Sequence, residues 1–325
     1  MKAVVFSQSG GPEVLRLEDV PAPVPGPHEV LLEVRATALN RADLLQRRGL
    51  YPPPPGASDI LGLECSGVVS ALGPGASRFS VGARVMALLA GGGYAEQVVV
   101  HEDVLLPVPE RLSFEEAAAV PEAFLTASEA LLVEAELRPG QRLLVTAAAS
   151  GVGSAAVQIG KVCGAFVIGS ASAGKLAAVR GFGADATLER DQPDYVAALR
   201  GLSDGRGVDA IVDFIGGSAL ARHQACLAPR GRLILVGLLG GAAAPLELGR
   251  LLMNRQRICG LVMRTRSLAE KIELSARFER ELWPALDSGA LTPRVDQVLP
   301  LAEVAAAHAR MEQNLNVGKL VLRVS

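Results

Sequence analysis

LLVTAAASGVGSAAVQIG, residues 143–160, joins a short apolar run to a turn of small residues and a helix-forming segment. The run LLVTA predicts a strand buried on both faces, and SAAVQIGKV predicts the helix that follows it. Between them, Ala147–Ala148–Ala149–Ser150–Gly151–Val152–Gly153 departs from the G-x-G-x-x-G spacing of a dinucleotide-binding turn. It keeps the physical requirements of one. The side chains are small enough for close backbone approach, and a helix N-terminus with free N–H groups can hold a pyrophosphate. Small residues at such a turn also serve packing alone, so the turn by itself leaves both readings open. Its setting favours the cofactor. AFVIGS (165–170), DAIVDFIG (209–216) and RLILVG (232–237) repeat the short apolar run, with GKLAAVRGF and DYVAALRGL between them as candidate helices. Strand and helix in alternation imply an α/β fold with a doubly wound parallel sheet.

The end of the second strand points to the kind of nucleotide. A site for NAD commonly places an acidic residue there, on the ribose 2′-hydroxyl. AFVIGSASAGK has no acid between Ala165 and Lys175, and offers Ser170, Ser172 and Lys175, with Arg190 about one strand further on. Hydroxyls and fixed positive charge suit a 2′-phosphate, which a carboxylate would repel. NADPH is therefore the expected cofactor, although Lys175 can also be read as ordinary helix surface.

The rest of the chain has a different texture. With 325 residues, two domains are expected. Of 20 prolines, 14 lie at or before Pro139, which predicts a loop-rich first third built of short strands. KAVVF, EVLLEVRATAL, CSGVVSALG, ARVMALL and EQVVV are those strands. Beyond about Arg264 come a charged helix (267–286), QVLPL, a helix over 302–311 and a terminal strand KLVLRV, read as returning to the N-terminal domain. A net charge of −2 gives no basic surplus for nucleic acid. Cys65, Cys163, Cys226 and Cys259 form no C-x-x-C pair, and His28, His101, His223 and His308 are isolated, so no metal spacing is present. With no signal-like or membrane-spanning run, the expected setting is cytoplasmic.

LNRADLLQRRGLYPPPPGASDILGLECSG (39–67), ALLAGGGYAE (87–96), PEAFLTA (121–127), AAASGVG, DFIGGS (213–218) and NVGKLVL (316–322) carry a family resemblance. The chain resembles the zinc-independent NADPH:quinone oxidoreductases, the zeta-crystallin-like group of the medium-chain dehydrogenase/reductase superfamily. Within that group it is most similar to the tumour-suppressor-inducible branch. The likeness spans essentially the whole chain. It implies a GroES-like, mainly-β substrate domain over 1–120 and 264–325, interrupted by a Rossmann NADPH-binding domain over 121–263.

The superfamily's alcohol dehydrogenases hold a catalytic zinc. In this chain their ligand positions read Asn40, Leu63 (followed by Glu64) and, for the third, near Glu122, which does not make the usual site. The resemblance therefore implies hydride transfer to a quinone without metal. It places residues matching Asn40, Asp43, Tyr51 and Thr126 around the nicotinamide and acceptor. Tyr51 would hydrogen-bond the substrate oxygen or pass it a proton, and otherwise packs beside the PPPP loop. Asn40 would orient the carboxamide or a water, and Thr126 would bond the nicotinamide edge. Asp43 either joins them or braces Arg41 or Arg47. Cofactor contacts are implied at Ala149, Ser150, Gly151, Val152 and Gly153, and at Gly237, Leu238, Met263, Arg264, Asn316 and Lys319. Arg190 stands where the branch has a tyrosine.

Reduction of an activated carbon–carbon double bond uses the same fold and cofactor and stays open as an alternative, as does a non-catalytic, nucleotide-binding role. RLILVG is read as an edge strand that would pair with a second subunit in a homodimer.

Overall fold

Alternation along Glu29–Ala38 sets the first layer: Val30, Leu32, Val34 and Ala36 turn inward while Glu33 faces solvent. The computed structural model describes residues 1–324. The chain divides into two units, one formed by Met1–Leu125 with the chain from Met263 onward, the other by Thr126–Val262. The strands, in chain order, are β1 (Lys2–Val5), β2 (Arg16–Asp19), β3 (Glu29–Ala38), β4 (Glu64–Leu72), β5 (Arg84–Leu88), β6 (Gln97–His101) and β7 (Leu105–Pro107). They continue with β8 (Arg142–Val145), β9 (Phe166–Ala171), β10 (Ala186–Glu189), β11 (Val208–Asp213), β12 (Leu227–Leu235), β13 (Arg257–Gly260), β14 (Val295–Pro300) and β15 (Lys319–Arg323).

In the first unit, β1 and β2 form an antiparallel pair beside a seven-stranded sheet in which six strands run in the order β14-β15-β3-β4-β5-β7 and the seventh, β6, pairs with β3. Strand β3 is long enough to serve two partners along one edge. β6 pairs with Glu29–Glu33 and β15 with Ala36–Ala38. The C-terminal segment thus completes a sheet begun by the N-terminal one. Val30, Leu32, Val34, Val69, Val85 and Leu105 form the core on one side of this sheet. At about 1.5–3 kcal/mol for each such aliphatic side chain, this cluster is a main source of the unit's stability.

The second unit is a parallel six-stranded sheet ordered β10-β9-β8-β11-β12-β13, with helices between successive strands. Leu144, Ile168, Leu188, Leu199, Ile211 and Leu233 fill its interior together with Tyr195. The order reverses after β10, since β11 adds on the other side of β8. In open α/β sheets such a switch point, at the carboxyl ends of the strands, is where ligands bind.

Two expectations are corrected. RLILVG lies in β12, which is hydrogen-bonded on both sides, to β11 and β13. The edge belongs to β13, whose four residues RICG are too short to stand out in the sequence. The charged segment 267–286 forms two helices, Leu268–Glu281 and Trp283–Asp287, because Pro284 has no N–H to continue the first. Among the described residues no helix is long and apolar enough to cross a membrane.

Candidate functional site

In the second unit, β8 runs into a turn at Ala147, whose φ of +43° is left-handed, and then into the helix Gly151–Val162. Ser150 is the N-cap, its hydroxyl oxygen accepting from Gly153 N at 3.0 Å. Its own proton stays available to an anion. Gly151 and Val152, in the first helical turn, have N–H groups without intrahelical acceptors. Gly153 must lack a side chain, because a Cβ there would lie 2.4 Å from Ala147 O. Ala149 is nearly buried and keeps the approach narrow.

Thr126 opens this unit. It is 3% exposed, and its hydroxyl has no hydrogen-bond partner among the described residues. A buried hydroxyl without a partner costs about 1–3 kcal/mol, a cost that a bound polar group would remove. At the carboxyl end of β11, Asp213 accepts from Thr146 Oγ1 (3.2 Å), Ile215 N (2.8 Å) and Gly216 N (3.4 Å), and meets His223 Nδ1 at 2.9 Å. Burial pushes the Asp213 carboxyl up, but His223 and the backbone donors outweigh it and hold it below its ordinary value. The DFIGGS loop is therefore pinned by one carboxylate. Gly237 packs against that loop, and Leu238 is half exposed.

Around the second strand, Ser170 is buried at the end of β9, whereas Ser172 and Lys175 are half-buried in the turn that follows. Arg190 is exposed and bound to Asp191 at 2.8 Å, an exposed pair of little energetic weight that an anion can displace. Arg222, which the sequence did not single out, donates to Arg190 O at 2.9 Å and lies over the Tyr195 ring at 4.2 Å.

The first unit holds a buried cluster of charges. Lys319 Nζ donates to Leu39 O (2.8 Å), Asn40 Oδ1 (2.7 Å) and Glu64 Oε1 (2.5 Å). An ammonium has three hydrogens, so none remains for a cofactor phosphate. Asn40 Nδ2 donates to Glu64 Oε1 (2.8 Å) and Ala38 O (3.3 Å), which commits both amide hydrogens. Glu64 Oε2 accepts from Glu122 N at 2.8 Å. The triad Asn40–Glu64–Lys319 is thus closed. Asn316, expected with Lys319 on the cofactor, donates to Gly318 O at 2.8 Å and braces the turn into β15.

Asp43 sits in the first turn of the helix Arg41–Arg47 and braces neither arginine. Its Oδ2 accepts from Asn40 N (2.7 Å) and Tyr94 OH (3.1 Å), and its Oδ1 from Gly62 N (3.2 Å). Gly62 adopts φ +102° against the Tyr94 backbone, a place only glycine fills. Burial raises the Asp43 carboxyl to about 6, against these bonds and Lys319. Behind it runs a directional chain. Arg47 has only donors, so His308 Nδ1 (3.1 Å) must accept, and Nε2 carries the proton toward Tyr94 Oη (3.3 Å). Tyr94 in turn donates to Asp43, and Arg47 also binds Glu312. Burial first, and then Arg47, lowers His308 to about 3, so the imidazole is neutral.

Tyr51 is half-buried, with Arg264 at 5.2 Å over its ring. Arg264 donates to Tyr51 O (3.2 Å), Ala90 O (2.8 Å) and Gln46 Oε1 (2.6 Å), and so acts as a brace for the tyrosine loop. Met263 beside it is buried. Burial raises the Tyr51 hydroxyl; Arg264 opposes this and Glu122 adds to it. Glu122, at the start of the helix Pro121–Ser128, is raised to about 8, by burial first and then by repulsion from Glu64. Among the described residues, no group of three or more His, Cys, Asp or Glu side chains is arranged to hold a metal ion.

The structure therefore brings Asn40, Asp43 and Lys319 together as a scaffold, and leaves Tyr51 and Glu122 with proton-bearing groups unspent. Sequence reading missed the roles of Glu64, Tyr94 and His308. The only signal for Glu64 was its place next to Leu63 in a matched stretch.

Two families match the chain: "Alcohol dehydrogenase GroES-like domain" over residues 26–110 and "Zinc-binding dehydrogenase" over residues 151–278. A quinone oxidoreductase of Pseudomonas aeruginosa is 35% identical over 328 residues, covering 99% of both chains. Mycobacterial Rv1454c, solved in complex with NADPH, is 32% identical with a TM-score of 0.90 over 100% of each chain. CurK enoyl reductase is 29% identical with a TM-score of 0.89, over 100% of this chain and 99% of that one. With full-length relatives at this identity on both levels, the chain belongs to the quinone oxidoreductase branch of the medium-chain dehydrogenase/reductase superfamily.

Proposed function

We propose that the chain is an NADPH-dependent quinone reductase that transfers hydride without a catalytic metal. The observation that carries this reading is the buried Asn40–Glu64–Lys319 triad. Of the three positions matching zinc ligands elsewhere in the superfamily, Leu63 has no donor atom. Both amide hydrogens of Asn40 are committed, and an ammonium already neutralises the neighbouring Glu64. A zinc ion does not fit this donor set, which removes the Lewis acid an ordinary alcohol or ketone requires. A quinone needs none, because hydride addition leaves a stabilised phenolate.

Bound NADPH supplies the hydride. Gly151 N, Val152 N and the Ser150 hydroxyl would hold its pyrophosphate, and the orphan Thr126 hydroxyl would take its carboxamide. Ser172, Lys175 and Arg190 would receive the 2′-phosphate, with no acid between Ala165 and Lys175 and with the exposed Asp191 displaced from Arg190. The NADPH complex of Rv1454c, a relative with the same fold, supports this preference. On the acceptor side, Tyr51, held in place by Arg264, would donate to the oxygen that gains charge. Reduction of activated carbon–carbon double bonds is the second reading, favoured by the unpartnered Glu122 carboxyl and by the likeness to CurK enoyl reductase. The functional form is a homodimer, supported by the unpaired edge of β13 and by Leu248, Leu252 and Met253, all exposed on the helix before it.

NADPH oxidation with ortho- and para-quinones, an enal in parallel and NADH as control, tests the reading. Quinone turnover with NADPH, reduced at least about tenfold in Tyr51→Phe and with NADPH KM raised in Lys175→Glu, is expected. Equal kcat/KM for NADH and NADPH refutes the cofactor assignment, and absence of quinone turnover refutes the reaction.

A further inference from the structure

Glu122 is a carboxyl group without a use in the scaffold. Its backbone N–H is anchored to Glu64 Oε2 at 2.8 Å, which fixes the root of the side chain beside a buried carboxylate. Two carboxylates, Glu64 and Asp43, and three cations, Lys319, Arg264 and Lys271, face it, together with the Tyr51 phenol. Two of these cations are spent. Lys319 has given its three hydrogens to Leu39, Asn40 and Glu64, and Arg264 is engaged by Gln46, Ala90 and Tyr51. Lys271 is half-buried, and no hydrogen bond joins it to Glu122. Among the described residues the Glu122 carboxyl has no hydrogen-bond partner. The residue as a whole keeps partial exposure and is not sealed in. A protonated carboxyl with no internal acceptor, on a residue that keeps partial exposure and is set near a tyrosine hydroxyl, has the equipment of a general acid.

We propose that Glu122 is a catalytic acid that lets this site reduce α,β-unsaturated carbonyl compounds as well as quinones. The inference rests on the reading of the chain as a hydride-transferring reductase. In the step, the hydride from the reduced nicotinamide forms a new C–H bond at the β-carbon of the acceptor. The π pair moves onto the enolate, and the O–H bond of Glu122 breaks as the α-carbon takes the proton. The cofactor loses two electrons and the acceptor gains them. The Glu122 carboxylate is reprotonated from solvent. A quinone leaves as a hydroquinone anion that needs no such donor, so the two substrate classes differ in their demand on Glu122.

The test compares kcat for a 2-alkenal and a para-quinone in the wild-type protein, Glu122→Gln and Glu122→Asp, from pH 6 to about pH 9.5. An acid must be protonated to act, so wild-type enal turnover is expected to fall as pH rises through about 8. Glu122→Gln should lose about 100-fold in enal kcat together with that fall, while its quinone kcat stays within about threefold. Glu122→Asp should keep part of the enal rate and a basic limb at a shifted pH. The quinone rate in the same sample reports on folding. A loss shared equally by both acceptors marks a structural role and overturns the proposal, as does enal turnover within threefold of wild type with the basic limb unchanged. Quinone turnover with no wild-type enal turnover overturns this inference alone. Turnover of neither class overturns it together with the quinone reductase reading.

Discussion

Lys319→Met tests the buried triad most directly. The side-chain exposures of Lys319 and Glu64 are 4% and 0%, and methionine fills the same volume without the charge. Removing one member of a buried, hydrogen-bonded pair leaves the other uncompensated, at a cost of about 3–5 kcal/mol. The loss falls on the first unit, whose length lies where 1 kcal/mol moves the midpoint by about 2–4 °C, so its transition should drop by roughly 6–20 °C. Trp283, the only tryptophan in the sequence, lies in this unit and donates to Pro107 O at 2.9 Å. Its fluorescence during urea unfolding therefore follows the first unit by itself, which avoids treating two units as one transition. The double variant Glu64→Gln/Lys319→Met should recover about 2 kcal/mol or more, because no charge is then stranded. A single-variant cost below about 1 kcal/mol, or strict additivity in the cycle, would refute the claim that this ion pair is closed and dry.

Three further outcomes are expected. Ser150→Ala removes the N-cap of the helix Gly151–Val162 and should cost the second unit about 1 kcal/mol, weakening NADPH binding severalfold in a fluorescence titration. His308, held at about 3, does not take up the proton that the unfolded chain binds below its usual 6.5, so stability is lost as pH falls through that window. Asp43, raised to about 6 from 3.8, works oppositely and loses stability as pH rises between those values, so the two nearly cancel near pH 5. His308→Gln should then make the stability-versus-pH slope near pH 5 more negative by about 1.4 kcal/mol per pH unit in urea titrations, and an unchanged slope would contradict the neutral imidazole. Leu252→Glu with Met253→Glu should convert a dimer to a monomer by light scattering, whereas a monomeric wild type at micromolar concentration refutes the dimer.

What the sequence revealed and what it concealed divide along a physical line. LLVTA, AFVIGS and RLILVG were legible because strands buried on both faces are continuous apolar runs, and the small-residue turn was legible because close approach limits side-chain size locally. β2 and β13 were not legible, since all four side chains of RLED are exposed and RICG carries only a short, half-exposed pattern. The site was partly visible. Tyr51, Asn40 and Asp43 stand within one matched stretch. The partners that define their roles do not: Tyr94 meets His308 across 214 residues, and Lys319 reaches Asn40 across 279. Burial of a charge is decided by what packs over it, so the resemblance offered Lys319 only as a cofactor contact, and nothing in the sequence pointed to its buried ion pair with Glu64.

The pairing of β15 with β3 also fixes an order of events during synthesis. Glu64 leaves the ribosome 255 residues before Lys319, which at about 5–20 residues per second is roughly 13–50 s. Throughout that interval the emerging first unit carries a carboxylate whose counter-ion does not yet exist, and an unfilled place along the β3 edge. The second unit, by contrast, is continuous in the chain and finds all its strand partners as it emerges. The nascent protein thus has a long period in which the nucleotide-binding half can be native while the other half stays open, and that half is where chaperone contact and mispairing of strands will concentrate.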